Sequence, residues 1–544
     1  MHSQGIDAAE FQAPLQSGVH RRLDRWLTIF VWTVAYVFVC GLILADPDLW
    51  GHTLYGLRAI DQHVLTERTD PFSYTAPNAI WVNHEWLTEL QLAWVYSELG
   101  NTGLWMWRNL WVLIVFLCAA AELKRQHANL AASTLLLLYG AECLSQFVVF
   151  ARPQVPTLAL FTLFLLILKR NFDGASRSEI WIMPPLMALW VNLHGGFLAG
   201  VGVVGVYAAL DLLHRLRNGW TWSFESLRLP SLGLLTLLAT LVNPYGYHLY
   251  LMLWDHLATE QFVVEWQPLW AARQAPTYYV PLVLLALSLP FSRRWSLADA
   301  LILLVIGSQA VSHIRHVSLL AAACLILLPG PLSDSLPRLF QHLTSVLAPR
   351  ERWPWRVLGV CGAAGVLIIL QVRGTVDLWR HGLAPWDVGV ESRSPVPGMP
   401  VRAVKQLNKL KLSGNLLTDY GWAQFIFWQA PQFKLAFDGR YRTVYSSQLE
   451  AEFLSFQRSG RVQPQQTPML DKYPTEIVLL PVGAGAAGYL AQRSDFVEIY
   501  RDDQAAIWVK RIPRFASLIL RSQKQALPPV AAPEWQAFPG DTRP

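Results

Sequence analysis

Apolar stretches dominate the N-terminal two-thirds of this 544-residue chain. About eleven of them approach the roughly 20 mostly apolar residues that a helix needs to cross a bilayer. Only 15% of the residues are charged, whereas soluble domains carry about 25%. The pattern predicts a polytopic α-helical membrane protein, residues 26–374, with spans near 26–45, 104–122, 128–150, 154–168, 180–192, 195–213, 229–243, 277–291, 297–312, 316–333 and 355–372.

The placement of basic residues predicts the orientation of these spans. Basic pairs such as Lys124-Arg125, Lys169-Arg170 and Arg293-Arg294 fall on alternate connections, and the other connections hold mostly single arginines. Basic residues accumulate on the cytoplasmic side of membrane proteins. The N-terminal tail, residues 1–25, is therefore predicted to be cytoplasmic and, because it has no signal-peptide pattern, to be retained. An odd number of spans then places the C-terminal region outside.

Chemically unusual residues collect on the predicted outer connections. Ionisable groups at membrane depth are costly and usually functional, and the opposite connections carry basic charge and little else. This asymmetry predicts a functional site at the outer face. Its motifs are Asp46-Pro47-Asp48 with Trp50 and His52, Asp70-Pro71-Phe72-Ser73, His84-Glu85-Trp86, Arg152-Pro153-Gln154, Asn192-Leu193-His194-Gly195-Gly196, Asn243-Pro244-Tyr245-Gly246, Glu265-Trp266-Gln267-Pro268 and His313-Ile314-Arg315-His316.

The first outer loop, residues 46–103, is far longer than a connector between two helices needs to be. Apolar residues recur at helical spacing in its first part (Trp50, Leu54, Ile60) and again after Trp86 (Leu90, Trp94). In this second part, Glu89 is predicted on the opposite, polar face. Such spacing predicts two amphipathic helices that lie on the membrane surface.

The composition changes after about residue 375. Prolines predict a linker over 375–400. Apolar runs at 415–419, 434–437 and 476–480 read as short strands alternating with helices, and 496–510 reads as a hairpin. This alternation predicts a small α/β domain over 401–515 with a partly parallel sheet. The Pro/Ala/Gln-rich tail, residues 516–544, is predicted to be disordered.

The order of these motifs resembles that of the GT-C-type membrane glycosyltransferases, which use polyprenyl-phosphate-linked sugars. More closely, the string from Asp46 through Arg315-His316 resembles a family-39-like bacterial branch. The later Asp419-Tyr420-Gly421-Trp422, Asp438-Gly439-Arg440 and Arg501-Asp502-Asp503 resemble it too. The resemblance covers about residues 25 to 515, although Asp46-Pro47-Asp48 departs from the motif of the well-known members.

The resemblance implies a GT-C-like fold in a bacterial inner membrane, with the first loop and the C-terminal domain in the periplasm. It implies an enzyme that transfers a sugar from a polyprenyl-phosphate-linked donor to a glycan, lipid or protein acceptor on the periplasmic face, with inversion. No nucleic-acid partner is expected. Two alternatives stay open: a transporter or flippase of lipid-linked glycans, and a non-catalytic scaffold of the cell envelope.

Inverting transfer needs a base for the acceptor hydroxyl. Asp46, at the exit of the first span, is the first candidate, because partial loss of water makes a carboxylate more basic. Asp48 is the second candidate, or a partner of Asp46 in holding a divalent cation. The alternative is that both residues only cap the following helix, where Asp48 has the N-cap position.

A leaving phosphate needs positive charge in a dry site. Arg152 and Arg315, the latter followed by His316, are the candidates, because guanidinium groups bind phosphate oxygens in a bidentate way. The alternative for both arginines is snorkelling to the membrane interface without a ligand.

The remaining candidates are predicted to build the pocket around these groups. No two of the loop histidines have ligand spacing on one helix, so hydrogen bonding is favoured over zinc binding. No cofactor is otherwise implied. The predicted pocket residues are Trp50, His52, Asp70, His84, Glu85, Asn192, His194 and Glu265.

Overall fold

The computed structural model describes residues 8–41, 43–175, 178–219, 223–258, 264–271, 276–290, 292–344, 398–459 and 469–525, with 359–362, 365, 527, 530 and 538. The predicted span at 355–372 and the predicted linker at 375–400 lie almost entirely outside the described residues.

Helices fill the first part of the described chain, and short 3-10 turns at 179–182, 264–266, 269–271, 276–279 and 314–316 connect several of them. The helices are α1 (Ala8–Gly41), α2 (Pro47–Asp61), α3 (Trp86–Arg125), α4 (Leu130–Val148), α5 (Gln154–Phe172), α6 (Met183–Trp190), α7 (Phe197–Arg217), α8 (Phe224–Ala239), α9 (His248–Ala258), α10 (Val280–Ser288), α11 (Leu297–Ser312), α12 (Val317–Leu327) and α13 (Pro329–Thr344).

Five of these helices are long and apolar enough to cross a membrane: α1 from Arg22 onwards, α3, α4, α5 and α7. A sixth results if α12 and α13 are counted together as one bent span. Large apolar side chains on α1 and α8, such as Phe30 and Leu234, are exposed, and contiguous exposed apolar surface of this kind suits contact with lipid. The described chain thus has the architecture of a helical membrane protein.

The predicted number of about eleven spans is not reached among the described residues. Helices stand at the predicted positions, but several are short, such as α6 with 8 residues and α10 with 9. Proline explains part of this, because it lacks the N–H that continues a helix. Pro184 and Pro281 lie where these helices begin, after 3-10 turns, and Pro329 starts α13 at a bend of 78° from α12.

The predicted outer connections meet at one end of the helices. Leu44, after α1, pairs with Phe150, before α5. Asn192, between α6 and α7, donates to the carbonyl of Val242, after α8, at 2.8 Å. The groups on the predicted inner connections meet elsewhere, as when Lys169 Nζ pairs with Asp299 at 2.7 Å.

The first loop is packed into the protein instead of lying on the membrane surface. Most of α2 is buried against α3 and against a helix of the C-terminal domain. Glu89, assigned by its spacing to the polar face of the second helix, is buried, and Trp94, assigned to the apolar face, is 62% exposed. The structure departs from the surface prediction because the C-terminal domain packs on this loop. Contact with that domain, and not with a bilayer, then decides which side of each helix is buried.

The second loop helix and the second span form one element, α3. The backbone breaks at Gly100, which has φ 59° and ψ −142°. Only glycine adopts this region without strain. Gly100 therefore marks the bend between the loop part of α3 and its apolar part.

The C-terminal region contains a five-stranded sheet in the order β2-β1-β3-β5-β4. β1 pairs in parallel with β2 and with β3, whereas β3–β5 and β4–β5 are antiparallel. The strands lie at the predicted positions. They are β1 (Gly414–Thr418), β2 (Phe433–Leu435), β3 (Ile477–Pro481), β4 (Phe496–Arg501) and β5 (Ala505–Lys510), with helices α14 (Val401–Lys409), α15 (Tyr420–Gln429), α16 (Ser447–Ser459), α17 (Met469–Lys472) and α18 (Gly485–Leu490), and 3-10 turns at 441–443 and 513–515.

The first loop extends this sheet at its β2 edge. The Leu435 N–H donates to the carbonyl of Phe72 at 2.9 Å, and the Tyr74 N–H donates to the carbonyl of Leu435 at 3.1 Å. The Tyr74 hydroxyl also contacts that of Thr475 at 2.7 Å. A segment of the loop therefore belongs structurally to the C-terminal sheet.

Part of the predicted disordered tail is ordered. Residues 516–524 form helix α19 (Ala516–Lys524), in which Leu518 and Ile519 are buried. Phe538 is 1% exposed, and its ring lies 5.2 Å from that of Trp50. The tail is rich in Pro, Ala and Gln, but these apolar side chains are buried in the folded chain, which composition alone does not reveal.

Candidate active site

Arg152 is the centre of an acidic cluster at the end of the helices where the predicted outer connections meet. Its Nε is hydrogen-bonded to Oδ2 of Asp46, and its Nη1 donates to Oε1 of Glu265 at 2.5 Å. Asp48 lies further away, with Oδ2 at 3.9 Å from Nη2. Arg152 itself loses hydration on burial, yet the charges of Asp46 and Glu265 raise its pKa above the ordinary value. The guanidinium is thus already neutralised by carboxylates.

Asp46 occupies the N-cap position of α2, but its side chain makes no capping hydrogen bond. One carboxylate oxygen, Oδ2, is held by Arg152, and the other, Oδ1, is buried without a hydrogen-bond partner among the described residues. The capping alternative therefore does not account for this side chain. A buried acceptor without a donor is unfavourable by about 1–3 kcal/mol, so Oδ1 is available for a ligand.

Asp48 lies in the first turn of α2 and not at the N-cap, contrary to the capping alternative. Partial loss of hydration, and then the charge of Asp46, raise its pKa to about 6. Its side chain is 42% exposed. Asp48 is therefore the more accessible of the two carboxylates, and its protonation changes near neutral pH.

A second cluster joins histidines and glutamates of the first loop to His194, which lies between α6 and α7. Glu85 lies 3.7 Å from His84 Nε2 and 3.6 Å from His194 Nε2. His52 lies 3.9 Å from Glu85 and hydrogen-bonds Glu89 at 3.1 Å. All five groups are partly or fully buried, so their charges interact strongly.

Burial affects the titration of this cluster in different directions. It raises the pKa of Glu85 to about 7 and lowers that of His84 to about 3. Burial, and then Arg315, hold the pKa of His194 well below its ordinary value. Burial would also lower the pKa of His52, but Glu89 and Glu85 outweigh it and raise the value to about 9. At neutral pH, His52 is cationic and the other two histidines are neutral.

The neutral His194 is held by its other ring nitrogen. Nδ1 contacts the Thr157 hydroxyl at 3.0 Å and accepts from the Gly196 N–H at 3.0 Å. A side chain at Gly196 would collide with Thr157, because a Cβ there would lie 2.6 Å from its methyl group. Gly196 is therefore needed for the close approach that orients Nε2 of His194 towards Glu85.

Arg315 completes the site from the connection between α11 and α12. Its guanidinium lies over the Trp266 ring, 4.4 Å from the centroid. Burial lowers its pKa, and it feels the charges of Glu265 and Glu85 from a distance. In the part of the chain that the structure describes, it forms no ion pair or hydrogen bond through its side chain. Arg315 is therefore near enough to interact electrostatically with Glu265 of the Arg152 cluster and with Glu85 of the second cluster.

His316, predicted as a phosphate-binding residue with Arg315, is neutral at physiological pH. Burial, and then Arg315, lower its pKa to about 4. Its ring lies 6.3 Å from that of Trp266. His316 can donate a hydrogen bond, but it brings no positive charge to the site.

Three predicted pocket residues support the site from outside. Trp50 is fully buried and packs on Phe425 of α15, with 5.6 Å between ring centroids. Asp70 pairs with Arg440 in the core between the loop and the sheet, at 2.7 Å. Asn192 accepts from Trp86 Nε1 at 2.9 Å and donates to two carbonyls. Sequence order shows that these residues are near the site, but not which way their side chains point.

Two contributors to the site lie outside the predicted set. Glu89 binds both His52 and Asn83, whose Nδ2 lies 2.5 Å from Oε2. Trp266 supports Arg315, whereas its sequence suggested stacking on sugar rings or lipid, or a place in the aromatic belt of the membrane. The i, i+4 spacing of Glu85 and Glu89 on one helix face was the available signal. This spacing did not lead to a site prediction for Glu89, because Glu89 was assigned to the solvent-facing side of the helix.

The residues His52, Glu85 and Glu89 offer ligand atoms that all lie within 4.8 Å of one another. One imidazole and two carboxylates suit a divalent cation. This trio is the group of three potential ligands that the described residues bring together, and a cation held by Asp46 and Asp48 stays a prediction.

Comparison with known protein families and with curated proteins finds no match. Among solved structures, the chain is similar to ArnT from Cupriavidus metallidurans bound to undecaprenyl phosphate, with 14% identity, 91% of this chain and 98% of that chain covered, and a TM-score of 0.44. It is also similar to the apo oligosaccharyltransferase of Archaeoglobus fulgidus, with 12% identity, 84% and 69% covered, and a TM-score of 0.45.

Likenesses of this degree assign no ligand or activity to this chain, so the following proposal depends on its own residues.

Proposed function

We propose that this chain is a membrane glycosyltransferase that moves a sugar from a polyprenyl-phosphate-linked donor to an acceptor, with inversion, on the outer side of the membrane. One observation carries the proposal: Arg315 is a partly buried cation that no described anion pairs. A buried charge without a partner is costly. An anionic group that enters from the membrane side and pairs with Arg315 would remove this cost.

The anion best matched to this position is the phosphate of a lipid. Arg315 lies at the end of apolar helices, where a polyprenyl chain can remain in the hydrocarbon while its phosphate reaches the guanidinium. Arg152, the other predicted phosphate ligand, is already neutralised by Asp46 and Glu265. We therefore assign phosphate binding to Arg315 and a positioning role to Arg152.

Asp46 is the proposed base. Arg152 fixes one of its oxygens, and the unpartnered Oδ1 is available for the acceptor hydroxyl. In the reaction, the acceptor oxygen attacks the anomeric carbon and the bond from that carbon to the phosphate oxygen breaks. The hydroxyl proton passes to Asp46, and polyprenyl phosphate leaves as an anion paired with Arg315. Asp48 would hold the acceptor beside this position.

The test of donor binding uses purified full-length protein and undecaprenyl phosphate as the probe, measured by native mass spectrometry. Arg315→Met should weaken binding about 10- to 100-fold, because a charge-assisted contact is worth about 1.5–3 kcal/mol. Arg68→Met is the control. Arg68 also lies on a predicted outer connection, but its guanidinium donates to the carbonyl of Pro244. Equal binding by wild type and Arg315→Met would contradict the phosphate assignment.

The test of transfer uses lipid-linked sugars extracted from membranes and labelled in the sugar. Asp46→Asn should lower transfer about 10²- to 10⁴-fold, the usual contribution of a general base, while undecaprenyl phosphate binding is retained. Wild-type transfer by Asp46→Asn would remove Asp46 from the mechanism. Movement of the intact labelled lipid across vesicles without transfer would instead identify a flippase, and absence of lipid-phosphate binding would favour a scaffold.

A further inference from the structure

The C-terminal domain contains a cleft of about 900 Å³ that the proposed mechanism leaves without a role. It lies beyond the carboxyl ends of β1 and β3, which are parallel neighbours. β1 leads through α15 to β2 on one side, whereas β3 leads through α18 to the β4–β5 hairpin on the other. The crevice where the chain direction diverges in this way is the usual ligand site of open α/β sheets.

The cleft presents hydrogen-bonding groups on a partly aromatic wall. Tyr420 and Tyr441 lie side by side, with 5.9 Å between their ring centroids. Gln457, from α16, donates through Nε2 to Asp419, while its Oε1 is buried and has no hydrogen-bond partner among the described residues. An acceptor left unpaired at a cavity wall is satisfied best by a ligand that donates a hydrogen bond.

The charges of the cleft argue against an anionic ligand. Its lining contains two arginines and three carboxylates, and Arg402 is paired with Asp503. Glu450, on the same wall, lies 3.5 Å from Arg442. Balanced charges, amides and tyrosine rings suit a neutral ligand with many hydroxyl groups, and a volume of this size accepts a disaccharide or more.

The side of the cleft formed by Tyr441 is close to the candidate active site. Gly439, two residues before Tyr441, approaches Asp48 so closely that a Cβ would lie 3.2 Å from Oδ1. Burial raises the pKa of Tyr441 well above its ordinary value, and the charges of Tyr420 and Asp48 contribute further. Asp48 therefore stands between the tyrosines of the cleft and the Arg152 cluster.

We propose that this cleft binds a saccharide, and that this saccharide is the part of the acceptor next to the hydroxyl that receives the sugar. The second statement rests on the proposed transferase function, whereas saccharide binding does not. The cleft holds the acceptor from the outer side, and Asp48 receives its reactive end.

The first experiment blocks the cleft without altering its polar groups. Gly483→Cys and Gly488→Cys are made in a Cys361→Ser background, because Cys361 is the exposed cysteine of the described chain. Both glycines are exposed with open space at the Cβ position, but only Gly483 lines the cleft. Each protein is labelled with fluorescein maleimide in a detergent without a sugar headgroup.

Binding of cellobiose, maltose and N,N′-diacetylchitobiose is then measured by saturation-transfer difference NMR on the full-length protein. At least one disaccharide should bind, and the label at position 483 should abolish its signal while the label at 488 preserves it. The inference is overturned if none of the three binds at millimolar concentration, if both labels have the same effect, or if inorganic phosphate displaces the disaccharide.

The second experiment tests the unpaired amide. Gln457→Leu should weaken disaccharide binding about 10-fold, as expected for loss of a hydrogen bond to a ligand. Gln448→Leu is the matched control on the same helix, because Gln448 is exposed and its amide contacts Glu452. Unchanged affinity in Gln457→Leu would remove this residue from the site.

The two proposals fail separately. Asp46→Asn should bind the disaccharide as wild type does, and Gln457→Leu should raise the KM for the acceptor with little change in kcat. If the label at 483 abolishes disaccharide binding but the protein has no transfer activity, the saccharide site is supported and the transferase proposal is overturned. If the protein transfers sugar and the label at 483 does not change the acceptor KM, the transferase proposal is supported and the acceptor role of the cleft is overturned.

Discussion

Two buried arginines near the first loop differ in how their charge is compensated. Arg440 lies between the loop and the sheet, where it pairs with both oxygens of Asp438 and with Asp70 at 2.7 Å. Aromatic rings cover it, with Trp81 at 4.7 Å. Arg315 also lies against a tryptophan, but no described carboxylate pairs with it.

The difference distinguishes a structural charge from one that awaits a ligand. A buried cation inside a complete set of anions contributes to the geometry of the fold, because removal of one partner leaves the others uncompensated. A buried cation without such a set is unfavourable in the absence of a ligand. We therefore expect changes at Arg440 to affect stability first, and changes at Arg315 and its neighbours to affect ligand binding first.

The largest expected effect is at Arg440. Arg440→Met should lower the free energy of unfolding by about 3–5 kcal/mol, because Asp438 and Asp70 would remain buried without their cation. Thermal unfolding of the purified protein, followed by circular dichroism, measures this loss. Arg501→Met is the control, because the Arg501–Glu498 pair is exposed and should contribute no more than about 1 kcal/mol.

If Arg440→Met and Arg501→Met lower the free energy of unfolding equally, Arg440 is not a structural charge and its distinction from Arg315 is lost. Lost undecaprenyl phosphate binding in Arg440→Met with unchanged stability would also contradict it, since Arg440 would then act on the ligand and not on the fold.

The second prediction concerns the pH dependence of stability near Arg315. The pKa of Glu85 is raised to about 7 from an ordinary value of 4.5, so the folded state holds a proton that the unfolded chain releases above pH 4.5. Its contribution to stability is fully present below pH 4.5 and is lost as the pH rises towards 7, by about 1.4 kcal/mol per pH unit.

Glu85→Gln should therefore reduce the decrease in stability between pH 4.5 and 6.5 by about 2–3 kcal/mol. The unfolded-state titration of His52, with its ordinary pKa of 6.5, overlaps this range. It is the same in both variants, so the difference between them reports Glu85. Denaturant unfolding at both pH values measures it, with Glu179→Gln as the exposed control. Parallel pH dependence in wild type and Glu85→Gln would show that Glu85 is ionised in the folded protein.

The positions of the structural elements and the grouping of the site motifs could be predicted from the sequence. Hydrophobic patterning predicted the positions of the helices and strands, because it reports which backbone segments are buried. The order and sidedness of the motifs predicted that Asp46, Arg152, Glu265 and Arg315 belong to one region, and the structure brings them together. The roles of these residues stay predictions until binding and transfer are measured.

Other features depend on partners that are distant in sequence. Asp70 reads as a loop carboxylate beside a turn, and only the fold shows that Arg440, 370 residues later, neutralises it. Trp50 reads as the apolar face of a surface helix, but α15 and Phe538 bury it completely. The number of spans stays a prediction, because an apolar run does not reveal where proline-bounded turns shorten the helix within it.

The smallest expected effect is at Trp266, which supports the arginine that the proposal assigns to phosphate. Trp266→Leu keeps an apolar contact but removes the ring face under the guanidinium, and such a cation–π contact is worth about 1 kcal/mol. Undecaprenyl phosphate should therefore bind about 5-fold more weakly, with the salt dependence of binding unchanged because the charge of Arg315 remains. Trp254→Leu is the control, since Trp254 is 76% exposed on α9. If Trp266→Leu weakens binding as much as Arg315→Met, the ring contacts the lipid directly; if it has no effect, the position of Arg315 is determined by the 3-10 turn at 314–316 alone.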